Sequence, residues 1–148
     1  MIAVIQRCSR AHVAIEDQII GEINSGLVIL LGVHQNDSEE DAEFLADKVA
    51  DLRIFNDSAN KMNLSLLQVG GSALVISQFT LCGDWRKGRR PSFINAAPPE
   101  KGARLYEYFI AKLQERGVPT AQGKFGAMMK VHLINDGPVT FVLDSQQR

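Results

Sequence analysis

Two periodicities of apolar residues divide the chain into short strand-like segments and two longer helix-like segments. Alternation of apolar and polar residues, or an unbroken apolar run of about four to eight residues, is typical of a β-strand. Such segments lie at residues 2–6, 13–15, 19–23, 27–33, 73–79, 129–134 and 139–143. Polar turns separate most of them, and Glu16-Asp17-Gln18 is the turn of a predicted hairpin. The pattern predicts about seven strands.

The two helix-like segments repeat apolar residues every three or four positions, as amphipathic helices do. The first begins at Ser38, which forms a capping-box pattern with Asp41, and we expect it to end near Arg53. The second begins at the Pro-Pro pair 98–99 and ends at Gly117. The residues expected to face the core are Phe44, Leu45, Val49 and Leu52 in the first helix, and Ala103, Tyr106, Phe109, Ile110 and Leu113 in the second.

Two further segments, 56–67 and 82–97, follow neither period and are predicted to be loops. Long loops in compact domains are often functional, which draws attention to 82–97. The 148 residues make one domain, 1–148. We predict an α+β fold in which a curved, barrel-like sheet, antiparallel or mixed, carries two packed helices.

Composition limits the possible functions. The formal net charge of −1 argues against a protein that coats duplex DNA. The N-terminal segment lacks the features of a signal peptide, and no apolar run approaches the roughly 20 residues that span a bilayer. Only two cysteines occur, Cys8 and Cys82, and we expect reduced thiols in a cytoplasmic protein. Nucleotide-binding glycine motifs and a hydrolase Ser elbow are absent, and the three histidines lack metal-ligand spacing.

The polar segment SQFTL at 77–81 follows an apolar strand. In a continuing strand Ser77 and Phe79 would face one side and Gln78 and Thr80 the other, although a bulge or turn would bring them to one rim. Amide and hydroxyl groups there can hold a polar substrate or donate to a developing oxyanion. Thr80 has no activating base within three residues, as a nucleophile requires. The alternative to a functional role is that the segment is only the end of a strand with polar caps.

A second segment, NDGPVT at 135–140, combines turn residues with a Gly137-Pro138 bond that can adopt the cis form. It is either an ordinary hairpin turn or a rigid backbone loop that presents carbonyls to a ligand. Between the two segments, basic residues cluster beside an aromatic residue, and this pattern suits RNA as well as a solvated surface loop. The clustered residues are Trp85, Arg86, Lys87, Arg89 and Arg90.

Five short motifs together resemble the D-aminoacyl-tRNA deacylases, also called D-tyrosyl-tRNA deacylases. They are MIAVIQR at 1–7, SQFTL at 77–81, KGRRPSF at 87–93, FGA at 125–127 with Met129, and NDGPVT at 135–140. The motifs are collinear with the family and extend over nearly the whole chain. The resemblance implies a cytoplasmic homodimer that needs no metal or cofactor and hydrolyses the ester between a D-amino acid and the 3′-terminal adenosine of tRNA. It also implies action on glycine carried by tRNA.

The resemblance also implies roles for individual residues. Gly137 and Pro138 match a cis Gly-Pro motif that enters the partner subunit's active site and excludes L-amino acids, and Arg7 matches an arginine that orients this motif. Met129 belongs to the same selecting region. The opposite wall, which carries the chemistry, is formed by Ser77, Gln78, Phe79 and Thr80. The resemblance leaves two roles for Thr80: a nucleophile, or a hydrogen-bond donor while the adenosine 2′-hydroxyl activates the attacking water. The missing base favours the second role, in which backbone N–H groups near Phe79 and Thr80 would form the oxyanion hole.

Two other functions fit the same residues. A non-catalytic RNA-binding dimer would use Arg86, Lys87, Arg89 and Arg90 without depending on Gly137. A Thr-dependent hydrolase of small esters would depend on Thr80 as its nucleophile. We expect no DNA partner and no membrane association.

Overall fold

The computed structural model describes residues 1–148 and contains eight strands and three α-helices. The strands are β1 (Ile2–Ile15), β2 (Gln18–Ile23), β3 (Gly26–Gly32), β4 (Phe55–Asn56), β5 (Met62–Leu64), β6 (Ser72–Ser77), β7 (Thr120–Gln122) and β8 (Lys130–Asp144). The helices are α1 (Glu39–Asp51), α2 (Leu66–Val69) and α3 (Pro99–Glu115), with short 3-10 helices at Phe79–Cys82 and Ser145–Gln147. None of the helices has the length and apolar character needed to cross a bilayer.

The long strand β1 organises the sheet because it pairs along both edges. On one edge it pairs with β3 near its start and with β2 near its end, and on the other edge it pairs with β8 along its length. Strands β6 and β7 extend the sheet beyond β3 in parallel pairs. A Cβ added to Gly21 in β2 would come within 2.7 Å of the Gln122 carbonyl in β7, so the sheet is nearly closed. The predicted curved, mixed sheet is confirmed.

Helices α1 and α3 pack together over the main core of 24 buried residues. The predicted apolar faces lie toward this core, with Val49 of α1 and Phe109 of α3 fully buried. Among the predicted positions Phe44, Leu52 and Ala103 are only half-buried, whereas Leu105 is fully buried and was not predicted. The Asp41 carboxylate accepts a 2.9 Å hydrogen bond from the Ser38 backbone N–H, as the capping-box pattern predicts.

Several element predictions are wrong in detail. The segment 135–138 does not turn between two strands, because it is a bulge within the single strand β8, which extends from Lys130 to Asp144. Residues 2–6 and 13–15 belong to one strand, β1, and the predicted loop 56–67 contains β5 and the start of α2. Strand β7 was missed altogether, since three residues are too few to show a period. The predicted hairpin between β1 and β2 is confirmed, with Glu16 and Asp17 both at positive φ, as a tight two-residue turn requires.

Candidate functional site

The strand β6 ends at Ser77, and the chain turns at once into the 3-10 helix Phe79–Cys82. The turn is closed by hydrogen bonds from the Leu81 N–H to the Gln78 carbonyl and from the Gly83 N–H to the Thr80 carbonyl. Of the two alternatives for this segment, the continuing strand is not observed, and the local turn is confirmed. This turn brings the polar groups of residues 77–80 to a single rim.

Gly32, at the end of β3, makes this turn possible. A Cβ at this position would lie 2.9 Å from the Leu81 Cβ and 3.1 Å from the Gln78 carbonyl oxygen. The 3-10 helix can therefore pack directly on the β3 backbone only because residue 32 has no side chain. Sequence analysis did not assign Gly32 to the site, although its interruption of the apolar run 27–33 is a visible signal.

The rim opens into a cavity of about 430 Å³. One wall comes from the end of β6 and the 3-10 helix, and the other from the segment that leads into β8. The lining residues are Ile76, Ser77, Gln78, Phe79, Thr80, Phe125, Gly126, Ala127, Met128, Met129 and Val131. Five predicted site residues, Met129 and residues 77–80, are thus brought together. None of the lining side chains is an acid, a histidine, a cysteine, a lysine or an arginine.

Within the cavity the Gln78 amide Nε2 donates a 2.5 Å hydrogen bond to Thr80 Oγ1. An amide nitrogen is a donor without basic character, so it cannot remove the hydroxyl proton of Thr80. That proton remains available for donation into the cavity. Phe79 is 58% exposed at the rim and packs edge-on against Phe93, with ring centroids 5.0 Å apart.

Two contacts fix the opposite wall. Phe125 packs against Tyr106 with ring centroids 5.9 Å apart, and the buried Tyr106 hydroxyl donates a 2.8 Å hydrogen bond to the Val75 carbonyl in β6. A Cβ at Gly123 would lie 2.5 Å from Met129 Sδ, so Gly123 leaves the space that Met129 occupies. Both walls are therefore tied to the same strand and helix, which holds their spacing. Gly123 was not predicted and has no sequence signal beyond being glycine.

The segment 136–139 bulges out of β8. Gln6 pairs with Thr140 and Cys8 with Asn135, so the single residue Arg7 in β1 lies opposite four residues of β8. The Gly137-Pro138 peptide bond in this bulge is cis. Gly137 and Pro138 are exposed and do not line the cavity of their own chain. Within one chain they are therefore separate from residues 77–80, and their placement in a partner subunit's site, which the resemblance implies, stays a prediction.

Arg7 fixes the bulge through contacts with Asp136. It is only 7% exposed, and its Nε donates a 2.9 Å hydrogen bond to the Asp136 carbonyl and lies 3.2 Å from the Asp136 carboxylate. Its Nη1 donates to the Ile54 carbonyl and to Asn56 Oδ1, at 2.9 and 3.2 Å. The guanidinium therefore bonds Asp136 through Nε and the body of the fold through Nη1, which fixes the position of Asp136 relative to the body of the fold.

Asn135 connects the start of the bulge to β1 and to the end of the bulge. Its Nδ2 donates to the Arg7 carbonyl at 2.9 Å and to the Val139 carbonyl at 3.3 Å. A Cβ at Gly137 would lie 2.8 Å from Asn135 Oδ1, so a larger residue there would push this amide away. Asn56 and Asn135 are positioning residues that sequence analysis did not single out. The signal for Asn135 was its place at the start of the NDGPVT motif.

The basic loop, residues 84–92, is closed at its base by two hydrogen bonds between the backbones of Asp84 and Ser92, at 2.8 and 2.9 Å. Trp85 is 78% exposed, and Lys87, Arg89 and Arg90 are exposed as well. Arg86 differs from them because its Nε and Nη2 donate to the two carboxylate oxygens of Asp84 at 2.8 and 2.9 Å. These bonds lower the pKa of the Asp84 carboxyl to about 2. Three of the four predicted cations are therefore free.

The remaining reactive side chains lie outside the cavity. Both cysteines are free and buried, and burial raises the pKa of the Cys82 thiol to about 11, which keeps it protonated at neutral pH. His12 and His132 stack on each other across β1 and β8, with ring centroids 4.4 Å apart. No three acid, histidine or cysteine side chains are grouped in a way that would hold a metal ion.

The sequence of this chain matches a known protein family over nearly its whole length. Residues 4–144 match the sequence profile of the family described as D-Tyr-tRNA(Tyr) deacylase. The chain is 57% identical over 148 residues to a D-aminoacyl-tRNA deacylase of Geobacter sulfurreducens, covering 100% of this chain and 97% of that protein. It is 55% identical over 147 residues to a D-aminoacyl-tRNA deacylase of Thermotoga petrophila, covering 99% of each.

Among solved structures, the fold is similar to that of a protein named c-Myc DNA Unwinding Element Binding Protein. The TM-score is 0.92 at 37% sequence identity, and the alignment covers 97% of this chain and 98% of that one.

Proposed function

Because this chain belongs to the D-Tyr-tRNA(Tyr) deacylase family, we propose that it hydrolyses the ester bond of D-aminoacyl-tRNA, releasing free tRNA and the D-amino acid. The full length of the chain, residues 1–148, would act as one catalytic domain in each subunit. Its substrate would be the 3′-terminal adenosine ester, encountered in the cytoplasm. The observation that carries the mechanism is a cavity of about 430 Å³ whose lining contains hydroxyl, amide and apolar groups but no ionisable side chain.

A cavity of this kind acts by positioning and by hydrogen bonding, since it offers no side-chain base to activate a nucleophile. The adenosine ester carries its own vicinal 2′-hydroxyl, which can orient or activate the attacking water. The Thr80 hydroxyl, which already accepts from Gln78, would donate its proton toward the developing oxyanion. The backbone N–H groups of Phe79 and Thr80, at the start of the 3-10 helix, would supply further donors. Ser77 would hold the polar part of the substrate.

Selection for D-amino acids would come from Gly137 and Pro138 of a second copy of the chain. These residues are exposed, the preceding residue Asp136 is held by Arg7, and they lie outside their own cavity. Backbone atoms held in one orientation can distinguish the substituents on an α-carbon without reading the side chain. The same logic admits glycine, which has no side chain, so glycyl-tRNA would also be a substrate.

The open edge of β8 offers the route by which the second copy reaches the cavity. β8 pairs only with β1, which leaves its other edge unpaired, and Ile134 on this strand is 55% exposed. Exposed strand edges tend to pair with another chain. Leu133 lies midway between Met129 and Gly137 in the sequence. Antiparallel pairing of two β8 strands about a twofold axis at Leu133 would place Gly137 of each copy beside Met129 of the other.

The basic loop would hold the RNA. Lys87, Arg89 and Arg90 are exposed and unpaired, and they lie only a few residues beyond Thr80. Phosphate contacts of this kind give affinity without sequence specificity. Trp85 adds a flat apolar surface on which an unpaired base can stack.

The deciding experiment is deacylation of matched D-tyrosyl-tRNA and L-tyrosyl-tRNA by the purified protein after treatment with EDTA. We expect rapid loss of the D-ester while the L-ester stays intact. Binding of tRNA without cleavage of either ester would instead support an RNA-binding dimer. Hydrolysis of p-nitrophenyl acetate at the rate of the D-ester would support a small-ester hydrolase. Glycyl-tRNA, tested in the same assay, checks the proposed tolerance for glycine.

A further inference from the structure

A second, smaller cavity of about 220 Å³ lies on the other side of the 3-10 helix Phe79–Cys82. Consecutive residues of this helix line the two cavities, since Thr80 faces the candidate active site and Leu81 faces the smaller cavity. The remaining lining residues are His34, Cys82, Gly83, Asp84, Trp85, Arg86 and Asn95. The two cavities are therefore neighbours along the 3-10 helix.

Two flat side chains border the smaller cavity. Trp85 is 78% exposed, although burial of so large an aromatic surface is normally favourable. The Arg86 guanidinium is held in one plane by its two hydrogen bonds to Asp84. Unpaired bases stack on aromatic rings and on guanidinium planes. Because the Arg86 side chain is already ordered in the free protein, stacking of a base on it loses little further conformational entropy.

The polar groups of the cavity suit a base that carries an exocyclic amine. The Asp84 carboxylate accepts three bonds from Arg86, from its N, Nε and Nη2, and an ionised carboxylate has about four acceptor sites. One site is left for an amine donor, and carboxylates recognise the N4 amine of cytosine in this way. The Asn95 backbone carbonyl is used by the fold, since it accepts from the Gln35 N–H at 2.9 Å. The exposed Asn95 side-chain amide can bond the other polar edge of the base.

We propose that this cavity binds the base of the nucleotide that precedes the terminal adenosine, a cytidine in every tRNA, between Trp85, Arg86 and Asn95. The proposal rests on the proposed function, because that function places the terminal adenosine at the neighbouring cavity. It assigns Arg86 to base recognition, whereas Lys87, Arg89 and Arg90 contact phosphates. The ester-bearing adenosine and the preceding cytidine would then lie on opposite sides of the 3-10 helix.

A binding experiment tests the cavity independently of catalysis. Trp85 is the only tryptophan of the chain, so its fluorescence reports on this cavity alone. We expect the dinucleotide CpA to quench the fluorescence in a saturable titration, UpA to bind at least severalfold more weakly, and adenosine to leave the signal unchanged. Asn95→Ala should weaken the CpA titration about tenfold, whereas Lys61→Ala, an exposed cation in a distant loop, should not. Equal quenching by CpA, UpA and adenosine, or none by any of them, would overturn the proposal.

A kinetic experiment tests the same site during turnover. The substrates are D-tyrosyl-adenosine and the D-tyrosyl ester of the trinucleotide CpCpA, compared by the ratio of their kcat/KM values. Trp85→Ala should lower this ratio about tenfold, within the 1–3 kcal/mol typical of base stacking, and Trp85→Phe should restore most of it. An unchanged ratio in Trp85→Ala would exclude the role. If the wild type hydrolyses neither ester, the proposed function fails, and the fluorescence titration still decides whether the cavity binds cytidine.

Discussion

Gln78 Nε2 donates a 2.5 Å hydrogen bond to Thr80 Oγ1, and this direction of donation determines what Thr80 can do. A hydroxyl activated as a nucleophile donates its proton to a base, whereas Thr80 is paired with a donor. Its proton therefore points elsewhere, and the cavity is the open side. The pair is better suited to stabilising a developing negative charge than to attacking the ester.

The first prediction tests this assignment through substitutions at both residues. Thr80→Ala should lower kcat about 10- to 100-fold on D-tyrosyl-tRNA without abolishing turnover, because a donor to a charged group contributes about 1.5–3 kcal/mol. Gln78→Glu places a carboxylate beside the hydroxyl, which then donates to Glu instead of to the substrate, so kcat should also fall. A nucleophilic Thr80 would show the opposite pattern: total loss in Thr80→Ala, retention in Thr80→Ser, and tolerance or gain in Gln78→Glu.

The second prediction concerns the support of the bulge in β8. Arg7→Lys keeps the charge but loses the fork that reaches Asp136, Ile54 and Asn56 at once. We expect the ratio of kcat/KM for D-tyrosyl-tRNA over L-tyrosyl-tRNA to fall at least tenfold. Arg10→Lys is the matched control, because Arg10 lies on the same strand and is exposed. Unaltered chiral preference in Arg7→Lys would mean that the bulge does not select the substrate.

Gly137→Ala provides a third prediction, which alters the bulge itself rather than its support. The added Cβ would meet Asn135 Oδ1 at 2.8 Å, so the Asn135 amide would have to shift away from the Arg7 and Val139 carbonyls. We expect weaker clearance of D-tyrosyl-tRNA at nearly unchanged thermal stability, since residue 137 is exposed. The measurement is kcat/KM together with the midpoint of thermal unfolding. Loss of activity explained wholly by unfolding would contradict a role in selection.

The elements that could be predicted from the sequence are those long enough to repeat an apolar pattern several times and those with distinctive turn residues. Helices α1 and α3 extend over enough turns to show an apolar stripe, and Glu16-Asp17 forms the expected hairpin turn. The bulge in β8 could not be predicted, because Asn, Asp, Gly and Pro favour a hairpin turn just as strongly. Only the pairing of β1 with both halves of β8 shows that the strand continues through it.

The sequence indicated which residues belong to the candidate site, but it did not indicate how they are arranged in space. Residues 77–80 and Met129 were all candidate site residues and line one cavity, yet the 3-10 helix that gathers residues 77–80 depends on space above Gly32, which is 45 or more positions away in the chain. The pairing of Arg86 with Asp84 illustrates a different limit. Both residues can be read from the sequence, but a count of the basic residues does not show that Arg86 is paired. Contacts across the fold, and bonds between near neighbours, are set by three-dimensional packing.

A fourth prediction concerns acid stability and follows from Asp41. Burial acts to raise the pKa of this carboxyl, but hydrogen bonds from the Ser38 backbone and from Ser145 outweigh it, and the pKa lies below its usual value. A carboxyl whose folded pKa is depressed stabilises the fold above its unfolded pKa of about 3.9, and this contribution is lost as the pH falls through the folded value. In urea unfolding, Asp41→Asn should therefore be less stable than wild type by about 1 kcal/mol at pH 7, and this deficit should be smaller at a pH below the unfolded pKa. An equal deficit at both pH values would show that the charge of Asp41 does not contribute.

The last prediction separates the four cations of the basic loop by their response to salt. Each phosphate contact on single-stranded RNA steepens the fall of log affinity with log salt concentration by about 0.7. Lys87→Ala should therefore reduce this slope by about 0.7, because its charge is exposed and unpaired. Arg86→Ala should weaken binding but reduce the slope less than Lys87→Ala does, since Arg86 is held by Asp84 and would contact a base and not a phosphate. The measurement is tRNA affinity at several salt concentrations for the two neighbouring variants. Equal losses of slope in both would show that Arg86 leaves Asp84 to bind a phosphate, and its assignment to base recognition would then fail.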